Sequence, residues 1–282
     1  LTKIAKPDTC VITNIGTCHL ENLGDRDGVL KAKTEIFQSM KPNGHIVLNG
    51  DDDKLITVCE YNGVKPVFFG LNSERDVYAD QIESKGLKGV ACRIHLGEDA
   101  FDVLVPTPGI HMVYNALAAA AVGRIYGLTI EEIRRGIESL ETIRGRFKMI
   151  ETDKFLVVDD CYNANPMSMK ASLDVLHDGE GRRVAILGDM GELGEDEAAL
   201  HEGVGIHAAT CGIDACVCVG DLAVHIAEAA RKANPDFPVY YEKTRESLLK
   251  HLNDYVQKGD TILVKASHFM KFEEVVKALE EM

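Results

Sequence analysis

The chain has 282 residues, enough for two domains that each bury a substantial hydrophobic core. Its 31 Lys and Arg residues against 45 Asp and Glu residues give a formal net charge of -14, which disfavours nucleic-acid binding through a basic surface and favours small substrates. The hydrophobic content is 45%, but no run of about 18 apolar residues occurs, which excludes an ordinary membrane span. The first residues show no signal-peptide pattern.

Eight cysteines are scattered along the chain without a Cys-x-x-Cys pair. Cys10, Cys216 and Cys218 lie in apolar, strand-like runs, which predicts buried thiols in a reducing cytoplasm. A zinc site made of Cys211, Cys216, Cys218 and His207 is the alternative, although its spacing matches no standard zinc pattern.

The first strong pattern lies within residues 9–37. An apolar, β-branched run at residues 10–15 predicts a buried strand of a parallel sheet. A loop carrying His19 follows, and then a helix in which apolar residues recur at helical spacing. We expect His19 at the carboxyl end of this strand and Lys33 in the first turns of the helix, where open α/β sheets place their chemistry.

The remainder of the first half predicts a mostly parallel sheet with helices. Alternating residues between positions 77 and 106 predict antiparallel strands at one edge of this sheet. Thr129 is the expected N-cap of the last helix. Strands are predicted at residues 45–50 and 66–70, and helices at residues 109–126 and 129–140.

A turn-rich segment around Arg144 predicts the boundary between two domains, residues 1–144 and 145–282. Beyond it, strands alternate with helices five times, which predicts a parallel, doubly wound, Rossmann-like domain. The strands are predicted at residues 155–159, 184–187, 215–219, 239–241 and 261–265, and the helices at residues 166–176, 195–210, 223–232, 245–256 and from 271.

Three segments resemble a known family. They are the stretch from Thr-Asn-Ile at 13–15 through Ala-Lys-Thr-Glu-Ile at 32–36, the sequence DDCYNANPMSM at 159–169, and ILGDMGELGE at 186–195. Together they resemble the Mur ligases, the ATP-dependent amide-forming enzymes of peptidoglycan synthesis, and the last two resemble the members that add D-alanyl-D-alanine. The resemblance implies an α/β chain: the later part of the central ATPase domain, then the whole carboxyl-terminal domain.

The phosphate loop G-x-x-x-x-G-K-[ST], whose amides and lysine hold nucleotide phosphates, does not occur in the sequence. In the family it lies upstream of the matched region, together with a magnesium-binding glutamate and a muramoyl-nucleotide-binding domain. We therefore expect the intact protein to contain residues before Leu1, and we expect the chain to be inactive without them.

The resemblance assigns magnesium to His19 and Lys33. His19 matches a ligand of a second Mg²⁺ ion, and Lys33 matches the lysine that reacts with carbon dioxide to give a carbamate, whose oxygens bind the metal. By residue type alone, the simpler interpretation is that His19 is a hydrogen-bonded loop histidine and Lys33 a solvated lysine that balances Glu35.

The resemblance also assigns nucleotide contacts. His111 and Asn115 match the adenine-contacting His-Asn-x-x-Asn of the family, with Met112 in place of the first Asn. Asp160 matches an aspartate near the ribose. The alanine-rich helix that carries Asn115 is also explained by close helix packing.

Arg146 matches the family arginine that reaches the transferred γ-phosphate. A guanidinium suits this role because it stays charged and binds phosphate oxygens bidentately. From the residues alone, Arg146 could instead pair with Glu141 or Glu151, and exposed pairs of this kind contribute little stability.

The resemblance also implies contacts with the substrates by residues near the ends of strands, namely Asn14, Asn163, Asn165, Lys265 and Ser267. The last two belong to Lys-Ala-Ser-His-Phe, where the family has Lys-Gly-Ser-Arg-Gly. The departures are Ala266, His268 and Phe269, which makes recognition of the amino substrate the least determined part of the site.

The implied parent reaction is activation of the terminal carboxylate of UDP-N-acetylmuramoyl-tripeptide by ATP, followed by attack of the amine of D-alanyl-D-alanine on the acyl phosphate. Such an enzyme would be cytoplasmic and would serve cell-wall synthesis, cell shape and cell division. One alternative is a folylpolyglutamate synthase-like ligase, which the Asn-Ala-Asn-Pro and Gly-Asp-Met-Gly-Glu-Leu segments disfavour. A doubly wound binding module without catalysis is the other.

Overall fold

The computed structural model describes residues 2–16 and 23–282. The chain folds into two compact units, Leu1–Glu141 and Thr142–Met282. The predicted boundary at Arg144 lies three residues beyond this division. In the described part of the chain, no helix combines the length and apolarity needed to cross a bilayer.

The first unit contains a six-stranded sheet in the order β1-β2-β3-β4-β5-β6. The pairs from β1 to β4 are parallel and the pairs from β4 to β6 are antiparallel, which confirms the predicted parallel sheet with an antiparallel edge. The strands are β1 Thr9–Ile12, β2 His45–Asn49, β3 Val67–Gly70, β4 Val77–Ser84, β5 Val90–Leu96 and β6 Asp99–Val105.

Four α-helices accompany this sheet among the described residues: α1 Thr2–Ala5, α2 Arg26–Thr34, α3 Ile110–Ile125 and α4 Ile130–Glu138. Helix α3 packs Leu117 and Ala120 against a core that includes Phe69 and Ile94 of the sheet. The predicted N-cap is confirmed, because Thr129 and Glu132 form a reciprocal capping box at the start of α4.

Strand β1 ends at Ile12, three residues earlier than predicted. Side chains at and just beyond the end of β2 hold the residues that follow: Asn49 Nδ2 donates to the Thr13 carbonyl at 3.0 Å, and the Ile15 amide donates to Asp52 Oδ2 at 2.7 Å. These side-chain partners replace the ladder that a longer strand would need.

Helix α2 begins after Asp25, whose side chain accepts from the Gly28 amide, and it runs only to Thr34. A 3₁₀ turn, Glu35–Ser39, continues the chain. Lys33 therefore lies in the last turn of α2, and its predicted place in the first turns of the helix was wrong.

The second unit contains a six-stranded sheet in the order β11-β10-β9-β12-β8-β7, parallel throughout except for β7. The predicted doubly wound sheet is confirmed. The short antiparallel strand β7 was not predicted. The strands are β7 Lys148–Glu151, β8 Leu156–Asp159, β9 Arg183–Gly188, β10 Ala215–Val219, β11 Val239–Glu242 and β12 Thr261–Lys265.

The helices of this unit are α5 Pro166–His177, α6 Glu197–Thr210, α7 Ala223–Ala233, α8 Arg245–Tyr255 and α9 Glu273–Glu280. Helices α8 and α9 pack on one face of the sheet through Leu248, Leu252, Val275 and Leu279. The chain adds β9, β10 and β11 outward in sequence and then returns to place β12 between β9 and β8. This reversal creates a topological switch point, and open α/β sheets bind ligands beyond the strand ends at such points.

Candidate active site

The switch point of the second unit carries polar residues after each of its three strands. Asp160 follows β8, Asp189 follows β9, and Ser267 follows β12 after Ala266. Parallel strands end at the same edge of a sheet, so these residues lie close together although they are far apart in sequence. The Ser267 amide donates to the Asp189 carbonyl at 3.0 Å, which joins two of these loops directly.

An ion pair joins the ends of β8 and β12. Lys265 Nζ lies 2.6 Å from Asp160 Oδ2 and also donates to the Asn163 carbonyl at 3.2 Å. Ser172 Oγ donates to the same Asp160 oxygen at 2.7 Å. The side chain of Lys265 is only 3% exposed, so this ammonium depends on its protein partners instead of water. For Lys265 to contact substrate as predicted, the substrate would have to compete with Asp160 for the ammonium group.

Asp159 is buried, and its carboxylate accepts hydrogen bonds from neighbouring groups of the chain. Its Oδ2 accepts the Gly145 amide at 2.8 Å, and its Oδ1 accepts the Cys161 thiol at 3.0 Å. Burial and the neighbouring Asp159 carboxylate raise the pKa of Cys161 far above that of an ordinary thiol. Cys161 is therefore a buried, unreactive thiol.

Arg146 is exposed, and its guanidinium carbon lies 4.2 Å from the centroid of the Tyr162 ring. Among the described residues, its side chain makes neither the Glu141 nor the Glu151 ion pair considered from the sequence. Tyr162 lies beside the strand-end polar residues but was not predicted as a site residue. Its position inside the Asp-Cys-Tyr-Asn motif was the available signal.

Two asparagines of the predicted substrate set lie just before α5. Asn165 is its N-cap: its Oδ1 accepts the Ser168 amide at 2.9 Å, with Pro166 in the first helical position, as predicted. Asn163 is exposed, and its side-chain oxygen accepts the Ala164 amide. The amide nitrogen of the Asn163 side chain remains available to a ligand among the described residues.

Ser267 is buried and accepts the Gly191 amide through its Oγ at 2.9 Å. The neighbouring Phe269 is exposed, and its ring approaches Gly191 so closely that a Cβ there would lie 2.9 Å from it. Ser267 thus fixes the loop after β9, and Phe269, in the loop after β12, presents an apolar surface to solvent beside it.

Two buried groups behind the site were not predicted. Asp189 Oδ1 accepts the amides of Leu222 and Ala223 at the start of α7, while burial raises the pKa of this carboxyl group. His201 is fully buried. Its Nε2 accepts the Met190 amide at 2.9 Å, so Nδ1 carries the proton that is donated to the Glu197 carbonyl. Burial lowers the pKa of His201, which keeps the ring neutral.

In the first unit, Lys33 and Asn14 are in contact. Lys33 is exposed, and its Nζ donates to the Asn14 carbonyl at 2.8 Å. Within residues 2–16 and 23–282, Lys33 forms no ion pair with Glu35. His19 lies outside the described residues, so its predicted role stays a prediction.

His111 and Asn115 lie in the first two turns of α3, both exposed. The side-chain amide of Asn115 lies 3.3 Å from the sulfur of Met112. Their predicted adenine contacts stay predictions.

The zinc alternative is not supported by the arrangement of its residues. Cys216 and Cys218 are fully buried with their sulfurs 3.5 Å apart, and His207 Nε2 pairs with Asp174 at 2.6 Å. Across the described part of the chain, no three or more His, Cys, Asp or Glu side chains are placed to hold a metal ion.

Together these features define a two-unit α/β protein with a polar strand edge at the switch point of its doubly wound half. Residues 1–123 match the Mur ligase middle domain, and residues 145–268 match the Mur ligase glutamate ligase domain. The chain belongs to the Mur ligase family. These matches favour neither of the alternatives considered from the sequence, the folylpolyglutamate synthase-like ligase and the binding module without catalysis.

Relatives in the family are similar along the whole chain. The UDP-N-acetylmuramoyl-tripeptide--D-alanyl-D-alanine ligase of Bacillus subtilis is 36% identical over 100% of this chain and 61% of that protein, and the one of Escherichia coli is 34% identical over 99% and 61%. A crystal structure of MurF from Acinetobacter baumannii superposes with a TM-score of 0.89 at 31% identity, over 100% of this chain and 61% of that one.

The MurF ligase of Thermotoga maritima in complex with ADP superposes with a TM-score of 0.83 at 28% identity, over 99% of this chain and 63% of that one. The chain thus spans about three fifths of the length of the relatives it matches.

Proposed function

We propose that the chain supplies the ligase half of an enzyme that joins D-alanyl-D-alanine to UDP-N-acetylmuramoyl-tripeptide at the expense of ATP, in cytoplasmic peptidoglycan synthesis. The observation that carries the proposal is the similarity, along essentially the whole chain, to two ligases named for this reaction. An ADP complex among the structural relatives supports ATP as the nucleotide.

In the first step, a carboxylate oxygen of the tripeptide attacks the γ-phosphorus of ATP. The bond from that phosphorus to the β,γ-bridging oxygen breaks, and its electron pair leaves with ADP, which gives an acyl phosphate. Arg146 has the chemistry to stabilise the phosphoryl oxygens as charge moves across them, because its guanidinium is exposed and always protonated.

In the second step, the amine of D-alanyl-D-alanine attacks the acyl carbon. The carbon–oxygen bond to phosphate breaks, inorganic phosphate leaves, and the amine nitrogen loses a proton to give the amide. We assign Asn163, at the exposed strand edge, to the amino substrate, and Lys265, Asp160 and Ser267 to holding that edge in shape.

Magnesium and the Lys33 carbamate remain part of the proposal as predictions. Bound Mg²⁺ would neutralise charge on the nucleotide phosphates, and His19 and a Lys33 carbamate would hold it. A carbamate on Lys33 would add an anionic ligand where the ammonium now meets the Asn14 carbonyl.

The test uses residues 1–282 fused behind the preceding portion of the Bacillus subtilis relative. We expect this fusion to release phosphate only when all three substrates are present, and we expect Lys33→Ala to abolish that release. Lys31→Ala is the matched control, because Lys31 is exposed on the same helix two residues earlier. Equal activity of the Lys33→Ala variant and the parent fusion would contradict the proposed role of Lys33.

A further inference from the structure

Tyr162 occupies the loop between β8 and α5, two residues after Asp160, and is 49% exposed. Its ring contacts two other side chains. The Arg146 guanidinium carbon lies 4.2 Å from the ring centroid, and the His268 ring lies 5.5 Å away, tilted by 39°. Tyr162 thus connects the segment that enters the second unit to the loop after β12.

The backbone beside Arg146 is tied to the same tyrosine. The Tyr162 amide donates to the Gly145 carbonyl at 2.9 Å, and the Gly145 amide donates to buried Asp159 at 2.8 Å. Gly145 has φ +77°, and a Cβ there would lie 3.1 Å from Tyr162 Cβ. Only glycine combines this backbone conformation with so close an approach. Tyr162 therefore holds both the backbone at Gly145 and the side chain of Arg146.

The stack leaves the hydrogen-bonding edge of the guanidinium open. A guanidinium that lies over an aromatic ring uses its face, while its N–H donors project in its plane. The sequence contains twelve arginines. In the part of the chain that the structure describes, Arg146 alone among them has no hydrogen bond or ion pair from its side chain. Arg144, two residues earlier, instead binds both carboxylate oxygens of Glu280.

We propose that Tyr162 is a positioning residue, which holds the Arg146 guanidinium by its face so that its free N–H donors meet the transferred phosphoryl group. This inference rests on the proposed function. The role assigned to Tyr162 is positioning of Arg146, without direct action on the reacting atoms. Its ring restricts the rotamers of a long, exposed side chain, so less conformational entropy is lost when Arg146 binds phosphate.

Kinetics of the fusion ligase test this role through a double-mutant cycle. Tyr162→Leu should lower kcat for phosphate release about three- to tenfold, in line with an exposed cation–π contact and the added loss of orientation, while KM for D-alanyl-D-alanine changes little. Tyr162→Phe keeps the ring and should restore the parent rate. Combined with Arg146→Lys, Tyr162→Leu should add almost nothing.

The proposal is overturned if Tyr162→Leu has the same effect with Lys at position 146 as with Arg, or if Tyr162→Phe is as slow as Tyr162→Leu. Tyr240→Leu is the matched control, because Tyr240 is an exposed aromatic of the same unit that packs on Tyr255, not on an arginine. It should leave kcat unchanged.

A second measurement separates failure of this inference from failure of the proposed function. In the NMR spectrum of the 282-residue chain, the δ protons of Arg146 should be shifted upfield by the Tyr162 ring. The shift should persist in Tyr162→Phe and disappear in Tyr162→Leu. An inactive parent fusion with this shift present refutes the ligase proposal and leaves the stack established. Unshifted δ protons in the parent chain overturn the stack itself, whatever the activity.

Discussion

Lys265 Nζ lies 2.6 Å from Asp160 Oδ2, and this pair ties the carboxyl end of β12 to the carboxyl end of β8. The two residues are 105 positions apart in sequence, so the contact closes a long loop of the second unit. Because Lys265 is more deeply buried than Asp160, the pair is asymmetric: loss of the acid harms the fold more than loss of the base.

We predict that Asp160→Ala destabilises the second unit by about 3 kcal/mol, since it leaves a buried ammonium with only a backbone partner. Lys265→Met should cost less, about 1–2 kcal/mol, because the 16% exposed Asp160 side chain can gain water. Urea unfolding measures both. Asp102→Ala, which breaks the exposed Arg93–Asp102 pair, is the control and should change stability by less than about 1 kcal/mol. Equal costs for Asp160→Ala and Lys265→Met would contradict the asymmetry.

His201 predicts a loss of stability in mild acid. Its pKa is lowered by burial, so between that lowered value and about 6.5 the unfolded chain binds a proton that the folded chain does not. Stability from the neutral ring is therefore complete above about pH 6.5 and declines as the pH falls through this window.

The measurement compares urea midpoints at several pH values for the parent and His201→Gln. The variant should be less stable near neutrality, with a smaller decline on acidification, whereas His45→Gln, at an exposed position, should follow the parent. Identical pH slopes for the parent and His201→Gln would show that the ring is not held neutral.

Glu242 is predicted to be the main polar anchor of α8. Its carboxylate accepts hydrogen bonds from Ser247, His251 and Tyr255, which are spaced four residues apart on one face of that helix. Burial acts to raise the pKa of Glu242, but these three donors outweigh it and the pKa is lowered. The stabilisation is therefore present above about pH 4.3 and is lost as the pH falls further.

We expect Glu242→Ala to cost about 2–3 kcal/mol at neutral pH and to accelerate amide hydrogen exchange along α8 before the rest of the unit. Glu246→Ala is the comparison, because Glu246 is an exposed residue in the first turn of the same helix. It should change the stability and the amide exchange of α8 little. Exchange that rises uniformly over the unit in Glu242→Ala would mean that the carboxylate does not act on α8 in particular.

Nucleotide affinity of the 282-residue chain by itself should be low. Asn115, Arg146 and Asp160 are predicted nucleotide contacts, but the sequence contains no phosphate loop to cradle the phosphates. Calorimetry with ATP should give a dissociation constant weaker than about 1 μM, that is, a binding free energy less favourable than roughly -8 kcal/mol. Tighter binding, or turnover by the chain at the rate of an intact ligase, would contradict the expected inactivity.

Local signals in the sequence were sufficient for most elements. Thr129 and Pro166 marked helix starts because capping and first-turn geometry depend on a few neighbouring residues. The doubly wound sheet followed from the regular alternation of apolar runs and helices. Strand β7 was missed because its three half-buried residues and one exposed residue show no alternation, and its strand state depends on pairing with β8.

The site was only partly predictable for the same reason. Asp160 and Lys265 could be named from their motifs, but their mutual contact depends on β12 returning between β9 and β8. The position of Lys33 in its helix was wrong because Asp25 sets the helix start and the helix is only nine residues long. The stack of Arg146 on Tyr162 was not predicted, because it joins the turn at Gly145 to a loop after β8 that only the folded chain brings alongside.

The central claim is that this chain completes a ligase that works through an acyl phosphate. The most direct test gives the fusion ligase UDP-N-acetylmuramoyl-tripeptide whose terminal carboxylate is labelled with heavy oxygen, together with ATP and D-alanyl-D-alanine. Mass spectrometry of the released inorganic phosphate should find one labelled oxygen per molecule, because the carboxylate oxygen that attacks the γ-phosphorus leaves with the phosphate. Amide formation with unlabelled phosphate would contradict the account.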